Sequence, residues 1–413
     1  MQHEEIWIAL AEALGPRSHA LKPLLAAFET PEEIFAADAQ QLLDAVPWLG
    51  KGVVASLTRK DTLDAAKRIA LWCHRNGVRI LTMDAPEYPA CLREIAEPPA
   101  VLYCRGTLQE LDRSLTLGIV GPREPDAYGE NEAYKISFAL AAAGFTVISG
   151  MAKGIDGIAA AAAIGAGGKT VAVLGTGIDI TYPRHHTRLA TEILENGAII
   201  TEFAPGTKPL GRNFPIRNRL ISALSRGVFL PEAEESSGAL ITARYALLQG
   251  KMLFALPGDI NNPRSAGTNR LLANGAAMVL SAEDILEQYR FLYHDLIDEK
   301  AFRESAQHAE LSHDVVRRFG LHLSKEKDVK PEKKSPRRRA ALEPAPQASA
   351  PAPDLSVLND RQHEIFSLLP ETPFTPDVLT AAAIPVAEAV ATLTVLEIYG
   401  LITSRPGGMY QKK

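Results

Sequence analysis

The sequence predicts an α/β fold built on a parallel sheet with helices on both faces, preceded by a small helical segment and followed by a winged helix. Three observations carry that expectation. From Leu115 to Val279, short apolar runs alternate with helical stretches across brief loops, the pattern of consecutive βαβ units. Ser149 to Gly157, Ser-Gly-Met-Ala-Lys-Gly-Ile-Asp-Gly, falls between the apolar run Phe145–Ile148 and the alanine-rich run Ile158–Ala166, so it reads as strand, glycine loop, helix. Nearly every run that reads as a strand also exits into small, polar or charged residues. In a parallel sheet those exits share one edge, where ligands bind.

Composition sets the outer limits. The 413 residues, 46% hydrophobic and 23% charged, suit a soluble protein of two to four domains. The acidic start Met1-Gln-His-Glu-Glu5 lacks the cationic end and apolar core of a signal peptide, and no apolar run approaches the roughly 18 residues of a membrane span, so the expectation is a cytoplasmic protein. Cys73, Cys91 and Cys104 are odd in number and widely spaced, which suggests neither a disulfide framework nor a zinc site. His185 and His186 are adjacent and have no third ligand, so no metal is expected; no cofactor is expected either. A net charge of −5 excludes a general positive field, and any contact with nucleic acid must be local. One basic cluster qualifies: between Phe203 and Pro231 there is no Asp or Glu, but Lys208, Arg212, Arg217, Arg219 and Arg226 occur with Phe214 among them. A charge run is ordinarily a solvated face, although this mixture of cations and an aromatic suits a single strand.

Taken in order, residues 1–80 read as short helices. Ile6, Ile8, Ala9, Leu10 and Leu14 form an apolar face, and Thr30-Pro31 with Glu33 is a helix start with a capping hydroxyl. The glycines of Gly50-x-Gly52 among apolar residues are similar to a helix-hairpin-helix turn, though a plain turn between packed helices explains them equally well. Residues 81–290 hold the βα alternation. Its strands are Leu115–Val120, Phe145–Ser149, Thr170–Leu174, Ala198–Thr201, Gly227–Leu230, Met252–Leu256 and Ala277–Val279. Residues 291–353 read as a largely disordered linker, with basic Lys325–Arg339 and the proline-alanine run Glu343–Pro353. In 354–413, helices over Arg361–Leu369, Pro376–Ala382 and Val386–Tyr399 precede short strands around Gly407-Gly408, an order that suits a winged helix. The third of these helices has no Lys or Arg, which favours a protein contact or a regulatory role over entry into a DNA groove.

The strand exits converge on Gly121–Arg123, Ser149–Asp156, Gly175-Thr-Gly177, Glu202, Glu232 with Ser236-Ser-Gly238, and Pro257-Gly-Asp259. Gly150 and Gly154 allow close backbone approach, a new helix N-terminus favours anions, and Lys153 adds a mobile cation. The expected ligand is a phosphate or a nucleotide.

Ile119-Val-Gly-Pro-Arg123, Ser149 to Asp156, Val171-Ala-Val-Leu-Gly175, Tyr182-Pro183, Phe214-Pro-Ile-Arg-Asn-Arg219, Ser237-Gly-Ala-Leu-Ile-Thr242 and Ala255-Leu-Pro-Gly258 resemble, in order and spacing, the DNA-processing protein A (DprA, or Smf) family over about Leu81–Leu286. The resemblance implies an extended Rossmann-like domain that binds single-stranded DNA without catalysis, protects it, and loads RecA recombinase onto it in natural transformation, acting as a homodimer. It places Arg123, Lys153, Phe214, Arg217 and Arg219 in the DNA pocket. Gly121, Ser149, Gly150, Gly154, Lys208, Asn218, Ser237 and Gly238 complete the expected interface, with Asp156, Gly175, Glu232 and Thr242 as structural residues beside it. Two positions depart from the family pattern: Pro122 replaces a serine or threonine, and Pro231 an aliphatic residue. The rival readings are a Rossmann-like nucleotide hydrolase or phosphoribohydrolase using Glu232 and Asp156 in the same cleft, and a scaffold that binds only proteins.

Overall fold

The computed structural model describes residues 2–108, 111–305, 309–321 and much of 360–412. The chain divides into two compact units, Met1–Val329 and Lys330–Lys413.

The first unit is organised by a sheet of nine strands: β1 (Arg79–Thr82), β2 (Val101–Gly106), β3 (Thr116–Ile119), β4 (Thr146–Ser149), β5 (Thr170–Val173), β6 (Gly197–Thr201), β7 (Gly227–Leu230), β8 (Met252–Ala255) and β9 (Ala277–Met278). Their spatial order is β1-β2-β6-β5-β4-β3-β7-β8-β9. From β6 to β9 all pairings are parallel, as the alternation of the sequence predicts. β1 and β2 extend the sheet antiparallel at one edge. The four-proline stretch between residues 86 and 99 prevents a long crossover helix there and leaves only Ala90–Glu94 helical, so the first strands cannot join by a βαβ unit.

The parallel strands are buried on both faces, and their side chains alternate between two cores. Leu117, Ile119, Val147, Ala172, Ile199, Phe229 and Phe254 face one core; Ile148, Val171, Val173, Ile200, Val228, Leu230 and Leu253 face the other. The helices at Ala127–Ala142, Ile155–Gly165, Thr187–Glu195 and Ala282–Tyr293 cover the first face. Those at Asn213–Ala223 and Ala239–Leu248 cover the second. Ala159 to Ala163 are all buried, and these small side chains let the helix at Ile155 lie close against its neighbour at Ala127. The chain builds outward from β3 to β6, returns through the helix at Asn213, and builds outward the other way from β7. Its direction therefore switches between β3 and β7, the place where such sheets open a ligand crevice.

Residues 3–75 form six helices, His3–Leu14, Leu21–Ala27, Pro31–Ala36, Ala39–Ala45, Lys51–Thr58 and Lys60–Arg75. The Thr30 hydroxyl caps the third through the Glu33 amide, as its sequence predicts. Trp7, Ile8, Leu10, Leu24, Ile34 and Leu42 join the same core as Tyr103 and Ile199, so these helices are fused to the sheet rather than hung from it. Gly50 precedes the fifth helix in an extended conformation and Gly52 lies inside it, a plain helix start after the turn at 46–50.

The expectation of a linker from residue 291 needs correction. Glu299–Ser305 and His313–Phe319 are helical. Phe319 and Leu321 are buried in the first core, and Arg318 reaches the Glu192 carboxylate at 2.6 Å. Composition averaged over the segment hides the apolar set Phe302, Leu311, Val315, Val316 and Phe319 that anchors it. Lys325–Arg339 and Glu343–Pro353 lie outside the described residues. In the second unit, the helix Asp360–Leu368 and the hairpin of Ile402–Arg405 with Met409–Lys412 contribute to a core that includes Ile365, Phe366, Leu379, Leu393 and Ile402. The expected helices over 376–382 and 386–399 fall mostly outside the described residues.

If residues 309–321 are an integral part of the first unit, Phe319→Ala should cost about 3 kcal/mol by loss of a buried ring. Urea denaturation of the full chain measures this, and an unchanged midpoint would mean that the segment is not docked in solution.

Candidate nucleic-acid interface

A cleft of about 510 Å³ opens at the switch between β3 and β7. Gly121, Pro122, Arg123 and Glu124 form one wall after β3, and Ser236 to Ala239 form the opposite wall after β7. Phe214, Arg217 and Asn218 come from the helix at Asn213, and Arg264 from the 3-10 turn Pro263–Ser265. Of the expected interface, Gly121, Arg123, Phe214, Arg217, Asn218, Ser237 and Gly238 line this cleft.

The second glycine loop serves a different purpose from the anion cradle its sequence suggests. The Gly150 amide donates to Asp156 Oδ2 at 3.1 Å, and the Ile155 amide, at the start of its helix, donates to the Pro122 carbonyl at 3.3 Å. These two amides are thus satisfied within the protein. Gly150 is buried against the Arg217 guanidinium, where a Cβ would sit 2.3 Å from Nη1. Gly154 has φ +81°, and a Cβ there would meet the Pro122 carbonyl oxygen at 2.3 Å. Ser149 is 1% exposed and donates to the Ile119 carbonyl at 2.7 Å. Ser149, Gly150 and Gly154 are therefore buried in the floor. The departure at Pro122 keeps the acceptor that holds the Ile155 amide.

The aromatic centre is Phe214. Its ring packs on Gly175, where a Cβ would approach Cδ1 to 3.0 Å, and lies 5.7 Å from the Tyr182 ring. The Arg123 guanidinium covers it at 5.0 Å, and that of Arg217 lies at 5.9 Å. Arg123 is exposed, whereas Arg217 is buried with Nη1 donating to the Gly150 and Val173 carbonyls. Burial pushes the Arg217 guanidinium down to about 10 and the Asp156 carboxyl up, while each charge pulls the other back. Asn218 ties its helix to the Ser236–Ala239 wall, accepting from Arg217 Nε at 3.2 Å and donating to the Gly238 carbonyl at 3.4 Å. The Ser237 hydroxyl accepts from the Ala239 amide at 3.3 Å. Thr242 is fully buried behind that wall, and among the described residues its hydroxyl has no hydrogen-bond partner.

Arg219 does not belong to the cleft. Two residues beyond Arg217 on a helix is about 200° of rotation, which sends the side chain to the opposite face. There Arg219 is 1% exposed, donates from Nη2 to Glu202 Oε2 at 2.7 Å, and donates from Nε to the Glu97 carbonyl at 3.1 Å. Such a buried pair cannot give up its cation without stranding the carboxylate. Arg226 is likewise tied down, donating to the Ser114 and Asp112 carbonyls. Lys208 is exposed but lies outside the cleft lining. The acid-free segment is thus scattered by the fold over separate places.

Lys153 stands beside the cleft, its Nζ 2.8 Å from Glu124 Oε1, and holds that carboxyl below its usual range. Glu232 is 3% exposed at the end of β7 and accepts from the Asp126 amide at 2.9 Å. Gly129 makes room for it, since a Cβ there would be 2.1 Å from Oε2. Burial pushes the Glu232 carboxyl up to about 7. Arg264, which the sequence reading missed, reaches it at 3.5 Å and lines the cleft. Arg264 lies 47 positions beyond Arg217 and outside every glycine motif, so only the fold brings it here.

Residues 79–290 match the family model described as DNA recombination-mediator protein A, and residues 343–408 match the DprA winged helix domain. The chain belongs to the DNA recombination-mediator protein A family. Its C-terminal segment thus carries that family's winged-helix domain, and its sheet is the Rossmann-like part. Protein Smf of Synechocystis sp. is 32% identical over 411 residues, 98% of each chain. DNA processing protein DprA of Bacillus subtilis is 38% identical over 221 residues, covering 54% of this chain and 74% of its own. The X-ray structure of DprA from Streptococcus pneumoniae superposes with a TM-score of 0.59 at 30% identity, over 70% of this chain and 98% of that one. No helix among the described residues is long and apolar enough to cross a membrane.

The raised Glu232 carboxyl has a thermodynamic sign. Its pKa in the folded chain lies above the ordinary value, so the native state holds the proton more tightly and loses stability as pH rises through about 5 to 7. The stability of Glu232→Gln relative to wild type should therefore move in the variant's favour between pH 5 and pH 8. Thermal melting over that range reads the difference, and a constant offset would refute the assignment.

Proposed function

We propose that this protein binds single-stranded DNA without catalysis, protects it, and hands it to RecA recombinase in natural transformation, working as a homodimer in the cytoplasm. The observation that carries the reading is the cleft at the β3/β7 switch, where exposed Arg123 covers the Phe214 ring, half-buried Arg264 shares the lining, and half-buried Lys153 stands beside it, paired with Glu124. Cations beside an aromatic ring suit a flexible strand: the cations neutralise phosphates and release counterions, and the ring stacks on any base. Gly121, Asn218, Ser237 and Gly238 complete the proposed interface as a polar rim. Phosphate neutralisation and stacking carry no base-edge readout, so little sequence preference is expected. Membership in a family of DNA recombination mediators supports the same reading.

The hydrolase alternative has Asp156 and Glu232 as its acid and base. Asp156 is occupied by the Gly150 amide and Glu232 by the Asp126 amide, and both are buried. These contacts favour structural roles for the two carboxyls.

The test is fluorescence anisotropy with labelled single-stranded and double-stranded DNA across a salt series. Wild type should prefer the single strand. Removing two phosphate contacts in Arg123→Ala/Lys153→Ala should lower the slope of log K against log salt by about 1.4. Phe214→Ala should weaken binding by about 1–3 kcal/mol with the slope unchanged. Equal binding by wild type and the double variant would sink the proposal, as would nucleotide turnover that Glu232→Gln abolishes. The RecA step is tested by filament assembly on a pre-coated single strand, and the dimer by sedimentation.

A further inference from the structure

The turn Pro263–Ser265 brings to the cleft a cation that belongs to none of its glycine motifs. Its backbone is fixed first: Asn262 Oδ1 accepts from the Arg264 amide at 3.1 Å, and Asn262 Nδ2 donates to Asp126 Oδ2 at 3.0 Å. The side chain of Arg264 is 38% exposed, and its Nη1 is shared between the Glu124 carbonyl and Glu232 Oε1. The Glu232 carboxyl is held in turn by the Asp126 amide.

The charged groups around Glu232 are few. Asp126, ahead of the helix at Ala127, has its carboxylate engaged by the Gly129 amide at 2.9 Å and by Asn262, and it also faces the Glu232 carboxyl, whose proton its negative charge helps to retain. Arg264 approaches from the 3-10 turn. Glu124 offers Arg264 its carbonyl and spends its carboxylate on Lys153. Two acids thus restrain two cleft cations, one pair at the surface and one with its acid buried. At 3.5 Å, the Arg264–Glu232 contact is longer than a strong charge-assisted bond, so a phosphate oxygen can displace it.

Resting on the single-strand reading above, we propose that Arg264 is a further contact to a DNA phosphodiester and that Glu232 is its positioning residue, holding the guanidinium at the cleft until a phosphate takes it over. The ionised carboxylate competes with the phosphate for Arg264; the protonated acid does not. Since burial pushes Glu232 up to about 7, the exchange falls near neutral pH. The sign follows: binding draws a proton onto Glu232, and affinity rises as pH falls from 8 to 6.

The experiment is anisotropy of the full chain with a labelled oligo-dT strand at fixed ionic strength from pH 6 to 8.5, with a salt series at pH 8. Arg264→Ala should bind more weakly, lower the salt slope by about 0.7, and lose most of the pH dependence. Arg264→Lys should keep the slope. Glu232→Gln should tighten binding at pH 8 by roughly three- to tenfold, corresponding to up to one pKa unit of coupling, and flatten the profile. Combining it with Arg264→Ala should give the affinity of Arg264→Ala alone. If wild type binds and Arg264→Ala matches it in affinity, slope and pH profile, this inference is wrong while the single-strand reading stands. The Arg264→Ala profile tests the coupling even if Glu232→Gln fails to fold. Absence of wild-type binding would remove both.

Discussion

The buried guanidinium of Arg217 is the contact on which the cleft depends. It leaves the helix at Asn213 and donates to the Gly150 and Val173 carbonyls, so it ties that helix to the ends of β4 and β5. A cation this deeply desolvated is tolerated only because those carbonyls and the nearby Asp156 charge compensate it. Its position dictates glycine at 150, since any side chain there would collide with it. It also fixes Phe214 three residues earlier on the same helix, where the ring rests on Gly175 and supports Arg123. Loop, ring and exposed cation are therefore consequences of one packed charge.

The same constraint shows why the glycine loop was misleading as sequence. Glycine between a strand and a helix is required whenever the backbone must approach something closely, and here that neighbour is the protein itself. Asp156 receives the Gly150 amide, and the Pro122 carbonyl receives that of Ile155. The accessible residues at the cleft are Arg123, Ser237 and Gly238 on the neighbouring loops and Arg264 from a distant turn, with Lys153 of the glycine loop itself beside them.

Much of the architecture was legible because its signals are local and periodic. The alternation of strands and helices from Leu115 to Val279 gives the parallel sheet, and the Thr30-Pro31 helix start needs only neighbouring residues. What was not legible depends on direction or distance. Arg217 and Arg219 read alike in sequence, yet helical rotation places one under the cleft and the other in a pair with Glu202. The strap that ends in Phe319 was hidden because a few anchoring side chains are diluted by a polar segment. Arg264 could have been suspected only from the strand exit at Pro257–Asp259, which the chain leaves in its direction.

Charge in the cleft is managed locally, as a chain of net charge −5 requires. Lys153 is paired with Glu124 and Arg264 with Glu232, while Arg123 lies over an aromatic ring. On the proposed reading, a phosphate backbone entering this cleft meets cations already oriented, and a base meets the Phe214 ring beside Arg123. The most direct test of that account is photo-crosslinking of a bromodeoxyuridine-substituted single strand to the full chain, followed by mapping of the joined peptides. Crosslinks at Phe214 and the Gly121–Glu124 loop are the result the account predicts. Crosslinks confined to the C-terminal unit or to the N-terminal helices, with none in the cleft, would contradict it.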